Sequence, residues 1–472
     1  MQAFIDFFTG ALNDFAWLYM FLPCVMVGGI LLTVRTKAVQ FSHFGYAMKN
    51  TIGKMFKKTE AGKGAVTPLQ AVTTALAATV GTGNIVGTSQ AIALGGYGAV
   101  FWLWVAALLG MVIKYSEVVL SIQYRQRDEK GDWVGGPMYY IAGIGPKWKW
   151  LAMVYAALAG IACFGIGNMS QVNAITGSIT NAITAFFTIN DSGITVIHWV
   201  IGLSLAALVA LILLGGIKRI GKVAEKLVPI MSVFYVLVCL GVIFSHAGNI
   251  GGAFAKIFTA AFSPRAVLGA ASGIALKEAL VWGLRRSAFS NEAGLGSAAI
   301  AHAAAETPSA VHQGLYGIFE VFVDTIVICS MTALTIICSG VDINFGVKPG
   351  SELITAAVAT IFGDKLAALF VAVALILFAF STVLGWALYG SRCAQYLFGT
   401  KAIKYYQAAF AIVIVIGCVS PIDIVWNIAD TFNGLMAIPN FVGLFVLSGV
   451  VAKLTKEHFS DPAAMLEDEM YT

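Results

Sequence analysis

The chain has 472 residues, of which 59% are hydrophobic and only 11% are charged. Because so little charge would not cover a water-soluble globule of this size, the composition predicts a polytopic protein embedded in the lipid bilayer. The net charge of +5 does not indicate a nucleic-acid partner, since the basic residues gather in connections between apolar segments. The short alternating strands of a membrane barrel do not occur in the sequence.

Eleven apolar segments approach the length of about 20 residues that a helix needs to cross roughly 30 Å of hydrocarbon. The sequence therefore predicts an all-α integral membrane protein with about 11 transmembrane helices. The segments are centred within 13–33, 66–95, 98–124, 150–178, 193–215, 224–246, 270–304, 311–339, 366–390, 404–420 and 424–452.

Setting aside the first segment leaves ten, which divide into two halves that each open with a glycine-broken segment. An odd number of crossings separates the starts of the halves, which predicts an inverted repeat of five plus five helices. Helical spacing of apolar residues beside lysines predicts an amphipathic helix within 41–58. The expected parts are an N-terminal transmembrane helix with this cytoplasmic connection (1–65), a first repeat (66–246), a second repeat (247–452) and a cytoplasmic tail (453–472).

The connection between the first two segments carries seven basic residues, Arg35, Lys37, Lys49, Lys54, Lys57, Lys58 and Lys63. Inner connections of membrane proteins carry an excess of Lys and Arg, so we place this connection in the cytoplasm. The N-terminus is then outside and the C-terminus cytoplasmic. We expect a multi-pass protein of the cell inner (plasma) membrane.

Two polar, glycine-rich stretches interrupt apolar segments in corresponding places of the two halves. They are Thr79-Val80-Gly81-Thr82-Gly83-Asn84 and Phe289-Ser290-Asn291-Glu292-Ala293-Gly294-Leu295-Gly296-Ser297. In hydrocarbon, unpaired peptide groups persist only where a solute, an ion or a water-lined cavity satisfies them. Paired broken helices of this kind indicate the central site of a secondary transporter. Close helix packing through small residues is the alternative.

The second stretch carries three polar side chains, Ser290, Asn291 and Glu292. A carboxylate at a helix centre costs roughly 2.5–3.5 kcal/mol on insertion scales, so we expect Glu292 to face a cavity or a partner. Glu292 is a candidate for binding a cation, accepting a proton or orienting the loop. Pairing with Arg285, Arg286 or backbone amides is the alternative.

Segment 366–390 carries Ser381, Thr382 and Trp386 in an otherwise apolar run. The two hydroxyls are oxygen ligands for an alkali cation if they face the first interruption, and otherwise bond back to carbonyls one turn earlier. Trp386 is a candidate for closing over a solute, or else a core residue. A further stripe in the fourth segment either lines a pathway or joins helices, and consists of Phe164, Asn168 and Gln171.

Other ionisable side chains lie inside apolar segments. Lys114 and Glu117 are three residues apart on one helix face and are expected to neutralise one another. Glu320 and Asp324 are candidates for gates or proton relays. We interpret His302 as a packing or capping residue.

Several motifs occur in register along the chain. They are Gly95-Gly96-Tyr97-Gly98-Ala99-Val100-Phe101-Trp102-Leu103-Trp104, Thr82-Gly83-Asn84-Ile85, Gly135-Gly136-Pro137-Met138-Tyr139-Tyr140 and Ser290 to Ser297. Over nearly the whole chain the sequence resembles the alanine or glycine:cation symporter family, with Leu103 in place of the methionine of the family's Trp-Met-Trp. The resemblance implies a LeuT-type fold of ten core helices and Na⁺-coupled, sometimes H⁺-coupled, uptake of alanine or glycine.

The resemblance also implies where the substrate binds. Gly81, Thr82, Gly83 and Asn84 look like the Gly-x-Gly-Asn of the first broken helix, whose amides receive the substrate carboxylate. Phe289 and Ser290 resemble the start of the second unwound stretch, where a carbonyl and a hydroxyl meet the amino group. By the same resemblance we count Asn291 and Glu292 with the substrate site, while Phe164 and Trp386 narrow it against bulky or acidic substrates.

A Na⁺ site is implied as well, formed by the carbonyls of Ala77 and Val80 with Ser381 and Thr382. Asn84 and Ser290 match a second cation site of neurotransmitter-type relatives. Glu292 departs from that pattern, because those relatives carry a small hydroxyl residue at its place.

We therefore expect symport of Na⁺ and a small neutral amino acid into the cell by alternating access, with no organic cofactor. The chain contains no GxxxxGK[ST] phosphate loop, and we expect no ATPase subunit. A proton-coupled symporter using Glu292 or Asp324 is the first alternative, and a channel the second. An enzyme is disfavoured because HExxH and GxSxG motifs do not occur. The sequence leaves open alanine versus glycine, stoichiometry and oligomeric state.

Overall fold

The computed structural model describes residues 7, 10–54, 62, 64–262, 276–420 and 423–470. In the first part of the chain the helices are α1 (Ala11–Arg35), α2 (Val39–Ser42), α3 (Phe44–Thr51), α4 (Pro68–Thr79), α5 (Thr88–Gly95), α6 (Gly98–Gln123), α7 (Pro137–Gly143), α8 (Pro146–Thr184), α9 (Asp191–Leu213) and α10 (Gly216–Ser245). They are followed by α11 (Ile250–Phe262), α12 (Leu276–Asn291), α13 (Ala298–His302), α14 (Ala310–Ser339), α15 (Glu352–Phe398), α16 (Ala402–Val419), α17 (Asp423–Ser460) and α18 (Pro462–Met470). A short antiparallel hairpin after α6 pairs β1 (Gln126–Arg127) with β2 (Trp133–Val134).

Nine helices in the described part of the chain are long and apolar enough to cross a membrane. They are α1, α6, α8, α9, α10, α14, α15, α16 and α17. Each lies on one of the predicted segments. The other two predicted segments, 66–95 and 270–304, are divided between α4 and α5 and between α12 and α13, and residues 270–275 lie outside the described part.

The long helices differ in how much of their surface the protein covers. The most apolar stretch of α6 is 83% buried, whereas that of α9 is only 17% buried. On α9 the side chains of Val196, Val200 and Leu203 are exposed. Such apolar surface on a helix is stable where lipid surrounds it, so α6 forms the centre of the bundle and α9 its periphery.

The N-terminal helix α1 is packed into the bundle against α6 and α17. A Cβ atom on Gly29 would lie only 2.7 Å from the Cβ of Leu109, so glycine permits the close crossing with α6. Towards its other end, the indole N–H of Trp17 donates to the carbonyl of Asp430 at 2.9 Å, and the Asn13 amide donates to Thr431 at 3.0 Å. α1 is therefore joined to α17 by hydrogen bonds as well as by apolar contact.

The connection predicted as one amphipathic helix within 41–58 is divided into α2 and α3 at His43, and residues 55–58 lie outside the described part. Phe44 does not face outward, because its ring lies 5.1 Å from that of Phe322 on α14. Phe41 is exposed. The connection thus presents one apolar side to the protein and another to its surroundings.

Helix α15 contains a bend near its N-terminal end. Gly363 has a φ of 73° inside the helix, a conformation that glycine adopts without the steric cost of a Cβ atom. The bend separates the first turns of α15 from the apolar run that carries Ser381 and Thr382. The apolar span predicted from the sequence, which begins at residue 366, follows directly after this bend and after the charged pair Asp364 and Lys365.

Candidate functional site

Helical geometry stops at Thr79 and resumes at Gly83. A capping box starts α4, with the Thr67 hydroxyl accepting from the Gln70 amide at 3.1 Å. At the other end Val80 has a ψ of 89°, which lies outside the helical range. The amide of Gly81 is satisfied by the side-chain oxygen of Asn84 at 2.8 Å. This first interruption is fully buried, and a side chain replaces the missing helical hydrogen bond.

A second interruption separates α12 from α13. Glu292, Gly294 and Gly296 all have positive φ, at 57°, 94° and 75°, so the chain leaves the helix through left-handed conformations. The amide of Ala293 donates to Asn291 Oδ1 at 2.9 Å. This segment is also buried throughout. A non-glycine residue at φ 57° is uncommon, which indicates that surrounding contacts hold Glu292 in place.

Glu117 of α6 holds the second interruption in shape. Its Oε1 accepts from the amides of Gly294 at 2.9 Å and Gly296 at 3.1 Å, and from the Asn440 side chain of α17 at 2.7 Å. Glu117 and Lys114 attract one another electrostatically, as expected, but Lys114 is not within ion-pair distance of Glu117. Three donors from two other elements satisfy Oε1, whereas the buried Oε2 has no hydrogen-bond partner among the described residues. Spacing along one helix does not reveal these donors.

The two interruptions are in contact with one another. A Cβ atom on Gly83 would lie 3.1 Å from Cδ1 of Phe289 and 3.3 Å from Cα of Ser290. Only a glycine therefore permits this approach without displacement of the second segment. Of the residues expected to bind substrate, Gly83, Asn84, Phe289 and Ser290 are brought together here.

Asp324 of α14 joins the two interruptions. Its carboxylate accepts from Asn84 Nδ2 at 2.7 Å, from Ser290 Oγ at 2.8 Å and from Thr325 Oγ1 at 2.7 Å. The carboxylate is completely buried. A buried carboxyl group thus lies beside both interruptions of helical geometry. Asn84 and Ser290, which the resemblance associates with a second cation site, both donate hydrogen bonds to it.

The predicted Na⁺ ligands lie where α15 passes the first interruption. Glycine at 385 lets α15 touch α4, since a Cβ atom there would lie 2.8 Å from the Ala78 Cα. Gly81 is in direct contact with the Thr382 hydroxyl. Both Ser381 and Thr382 donate to the Phe378 carbonyl, at 2.8 and 3.0 Å, so each oxygen retains lone pairs for a further ligand. Ala77 and Val80 are buried on the facing side.

Trp386 and Phe164, the two aromatic residues expected to narrow the pocket, pack against different helices. Trp386 is buried in direct contact with Gly167 of α8. The ring of Phe164 lies 4.8 Å from that of Tyr406 and 5.8 Å from that of Phe410, both on α16. Phe164 therefore packs between α8 and α16. The sequence left open whether Phe164 lines a pathway or joins helices, and its contacts with α16 are those of a residue that joins helices.

Gln171, from the polar stripe of α8, reaches the first interruption. Its Oε1 lies 3.4 Å from the Thr82 amide, while its Nε2 donates to the Ile166 carbonyl at 3.0 Å. The hydroxyl of Thr82 is buried, and no described residue provides it with a hydrogen-bond partner. A buried hydroxyl and a weakly bound amide, both on Thr82, offer hydrogen bonds to a small polar ligand.

A second buried network connects α6, α13 and α14. Lys114 Nζ lies 3.5 Å from Glu320, whose other oxygen contacts His302 Nε2 at 3.0 Å, and Gln313 Nε2 contacts His302 Nδ1 at 2.8 Å. Gly317 permits this approach, because a Cβ atom there would lie 3.1 Å from Lys114 Cγ. The direct ion pair of Lys114 is therefore with Glu320. His302 has a carboxylate partner that its sequence neighbours do not indicate.

Glu292 has a different partner from the arginines considered for it. Its carboxylate accepts from the Ser297 hydroxyl five residues later. Arg285 instead contacts Asp430 and donates to Asn13 Oδ1 at 2.7 Å. Pairing of Glu292 with Arg285 is therefore not found. The Glu292 carboxylate instead connects the start of the second interruption with its end at Ser297.

Asp128, in the hairpin after α6, connects that helix to the end of α15. Gln395 donates to it at 2.9 Å, and the Arg392 guanidinium lies 3.6 Å away. Burial raises the pKa of Asp128, but hydrogen bonds from Gln395 and from the amides of Asp132 and Lys130, together with the Arg392 charge, lower it below its usual value. Because the folded state lowers the pKa of Asp128, ionised Asp128 stabilises the fold at pH values above the ordinary pKa of an aspartate. This stabilisation is lost as the pH falls through the lowered pKa of the folded state.

A cavity of about 240 Å³ lies beside the first interruption, on its α5 side. It is lined by Val86, which precedes α5, and by residues that include Gln90 of α5, Asn173 of α8 and Glu352 of α15. Gln90 donates to the Pro349 carbonyl at 2.9 Å and so connects α5 with the segment before α15. Residues of the two interruptions themselves are not among those that line the cavity.

Comparison with known proteins gives one consistent result. The sodium:alanine symporter family model matches residues 1–471. The sodium/alanine symporter AgcS of Methanococcus maripaludis is 42% identical over 95% of this chain and 96% of its own length. The probable sodium/glutamine symporter GlnT of Bacillus subtilis is 35% identical over 97% of this chain and 91% of its own. The family predicted from the motifs is therefore confirmed, and with it a transporter rather than an enzyme.

Solved structures agree on the fold. MhsT in complex with L-phenylalanine matches with a TM-score of 0.62 at 15% identity, over 87% of this chain and all of that one. Mhp1, a nucleobase-cation-symport-1 family transporter, matches with a TM-score of 0.52 at 10% identity, over 87% and 97%. The all-helical, LeuT-like architecture is thus confirmed. The total of eleven transmembrane helices, their inverted repeat and the assignment of two broken transmembrane helices stay predictions.

Proposed function

Since this chain belongs to the sodium:alanine symporter family, we propose that it carries a small neutral amino acid, alanine or glycine, into the cell together with Na⁺. The observation that carries the proposal is the contact between the two interruptions at Gly83 and Ser290, with peptide groups outside helical bonding on both sides. Membrane transporters use such groups to bind zwitterions and their coupling ions.

The substrate carboxylate is proposed to bind at the amides of Thr82 and Gly83. Support comes from the partnerless hydroxyl of Thr82 and from the N–H groups that open the helix from Gly83 onward, where the helix dipole favours an anion. The amino group would lie near Phe289 and Ser290. Because the second segment touches Gly83, only a short substrate side chain fits between them.

The coupling Na⁺ is proposed to bind between the carbonyls of Ala77 and Val80 and the hydroxyls of Ser381 and Thr382. Oxygen atoms are the ligands that a hard cation prefers. Support comes from the Gly81 contact with Thr382 and from the burial of all four residues. Na⁺ bound there would stabilise the first interruption in the shape that receives the substrate, so that each ligand tightens the other.

Uptake of radiolabelled alanine into proteoliposomes tests the proposal. We expect accumulation only under an inward Na⁺ gradient, and competition by unlabelled glycine but not by glutamate. Liposomes with choline replacing Na⁺ serve as the control. Equal accumulation in choline would contradict Na⁺ coupling, whereas absence of amino-acid uptake under every gradient would contradict the function itself.

Thr382→Ala is expected to raise the Na⁺ concentration for half-maximal uptake by roughly tenfold, about the 1.4 kcal/mol of one lost ligand oxygen. The wall of the site keeps its shape, so the alanine concentration for half-maximal uptake at saturating Na⁺ should change little. Thr360→Ala, a part-buried hydroxyl that also bonds back along α15, is the matched control. An unchanged Na⁺ requirement in Thr382→Ala would place the ion elsewhere.

Proton coupling is a second candidate, and the buried carboxylate of Asp324 is the specific observation in its favour. Its three donors leave room for the carboxylate to hold either a cation or a proton. Alanine uptake driven by a pH gradient in Na⁺-free buffer would favour this candidate. Strict dependence on Na⁺ at every pH gradient would reject it.

The orientation in the plasma membrane is proposed from charge alone, with the N-terminus outside and the C-terminus cytoplasmic. The two repeats are proposed at 66–246 and 247–452, with the carrier alternating between outward and inward access. Single cysteines introduced at Lys147 and Lys348 can be labelled with a membrane-impermeant thiol reagent in intact and in permeabilised cells. If the orientation is right, the cysteine at 348 reacts in intact cells and the cysteine at 147 reacts only after permeabilisation.

A further inference from the structure

A basic pocket opens at the end of the bundle where α1 ends and α17 continues past the apolar region. It has a volume of about 500 Å³ and is lined by Arg35, Thr36, Lys37, His43, Ala452, Lys453, Thr455, Lys456, Phe459 and Ser460. Four of these side chains are cationic and none is acidic. The pocket belongs to neither interruption and takes no part in the proposed transport site.

Most of this positive charge is not neutralised by the protein. Lys37 and Lys456 are exposed, and in the described part of the chain neither is within ion-pair distance of a carboxylate. Lys453 lies 3.8 Å from Glu457, but both side chains are largely exposed, where such a pair is weak. Arg35 donates to the Ser448 hydroxyl at 2.5 Å, which leaves its charge uncompensated. The pocket therefore attracts an anion.

The inner wall of the pocket is ordered by the fold. The His43 ring stacks on Phe459 at 3.8 Å between centroids with 23° between planes. Burial, and secondarily the charge of His458, lower the pKa of His43, so at neutral pH it supplies hydrogen-bonding capacity rather than charge. Lys37 and Ala38 both have positive φ, at 55° and 56°, and this tight turn places the Lys37 backbone at the rim.

Exposed apolar surface lies within one helical turn of the pocket. Val27, Ile30 and Val34 lie on one face of α1 at helical spacing, and all three are exposed. Val34 directly precedes Arg35, which lines the pocket, so the stripe ends within one turn of it. A phosphate ion would use only the basic pocket, whereas a phospholipid would use the pocket for its headgroup and the stripe for its acyl chains.

We infer that this pocket binds the phosphodiester headgroup of an anionic phospholipid, with Arg35, Lys37, Lys453 and Lys456 around the phosphate. Basic pockets between transmembrane helices are suited to such headgroups, and each Lys or Arg near a membrane surface adds to the attraction. The bound lipid would connect α1 to α17 at the membrane surface. The inference does not depend on which solute the protein transports.

Native mass spectrometry of the detergent-purified protein tests this inference, with phosphatidylglycerol as the probe. We expect phosphatidylglycerol adducts well above those of phosphatidylcholine at equal concentration. The double variant Lys37→Gln and Lys456→Gln should weaken phosphatidylglycerol binding by roughly tenfold to thirtyfold. The matched control, Lys147→Gln and Lys149→Gln, removes two exposed lysines outside the pocket and should leave binding within about twofold.

Three outcomes would overturn the inference. Equal losses in both double variants would show a diffuse attraction to charge rather than a site. Equal binding of phosphatidylcholine and phosphatidylglycerol would show that the net negative charge of the headgroup is not recognised. Displacement of the lipid by sn-glycerol 3-phosphate at equal concentration would assign the pocket to a soluble phosphate compound. Size-exclusion chromatography of each variant checks that the fold is intact before binding is compared.

Discussion

Replacing Asp324 with asparagine should reduce the maximal rate of alanine uptake by about a hundredfold, the equivalent of roughly 2.7 kcal/mol. The carboxylate accepts three hydrogen bonds, from Asn84, Ser290 and Thr325. An asparagine of the same shape can still accept from Asn84 and donate to the two hydroxyls, so what it removes is the negative charge that strengthens all three hydrogen bonds. Hydrogen bonds to a buried charged group contribute about 1.5–3 kcal/mol each, and the neutral side chain loses part of each contribution.

Uptake rates in proteoliposomes, normalised to the amount of reconstituted protein, provide the measurement. Asp342→Asn is the matched control, because Asp342 is exposed in the connection after α14. It should transport at close to the unsubstituted rate. If Asp324→Asn retained more than half of that rate, the carboxylate would not be the group that joins the two interruptions during transport.

Gly385→Ala should raise the Na⁺ concentration for half-maximal uptake by tenfold to a hundredfold. The added Cβ atom would lie 2.8 Å from the Cα of Ala78 and 2.9 Å from its nitrogen, distances that backbone atoms do not tolerate. Helix α15 must therefore move away from α4, which separates Thr382 from Val80. Overpacking of this kind costs about 1–3 kcal/mol. Here we expect it to weaken Na⁺ binding at the proposed site by that amount.

The Na⁺ titration of alanine uptake measures this effect, supported by the thermal stability of the purified protein in NaCl and in choline chloride. Gly160→Ala is the matched control on another membrane helix, since its Cβ atom would meet only Cys393 at 3.7 Å, an ordinary contact. If the Gly385→Ala protein is stable in choline chloride and keeps the original Na⁺ requirement, the contact between Gly385 and Ala78 does not control Na⁺ binding.

Much of the helical content was predictable because length and hydropathy determine which segments cross a bilayer. Nine predicted segments correspond to long described helices, and the two segments richest in glycine and polar residues are those that the structure divides. The sequence alone did not predict the short helix α11 or the hairpin after α6. Both lie in connections, where hydropathy carries little information.

The partners of the buried polar residues were much less predictable. The spacing of Lys114 and Glu117 correctly placed both inside α6, yet Lys114 contacts Glu320 of α14 and Glu117 accepts hydrogen bonds from the second interruption. These pairings depend on which elements approach α6, and that in turn depends on small residues such as Gly317. Sequence spacing reports neighbours along one helix only, so contacts between helices are not accessible to it.

The contacts around Glu117 have a consequence for motion. They hold α6 to the second interruption and to α17, and Lys114 with Glu320 holds α6 to α14, so these elements are bound to one another by buried charges. Across from them, α8 meets this group mainly through neutral hydrogen bonds, such as that from Tyr155 to the Leu295 carbonyl at 2.9 Å. Sliding of α8 and α15 past the charged group would therefore break few strong bonds at mid-membrane. The ion pair of Asp128 with Arg392 would oppose such sliding, so we expect α15 to be held most firmly at that end.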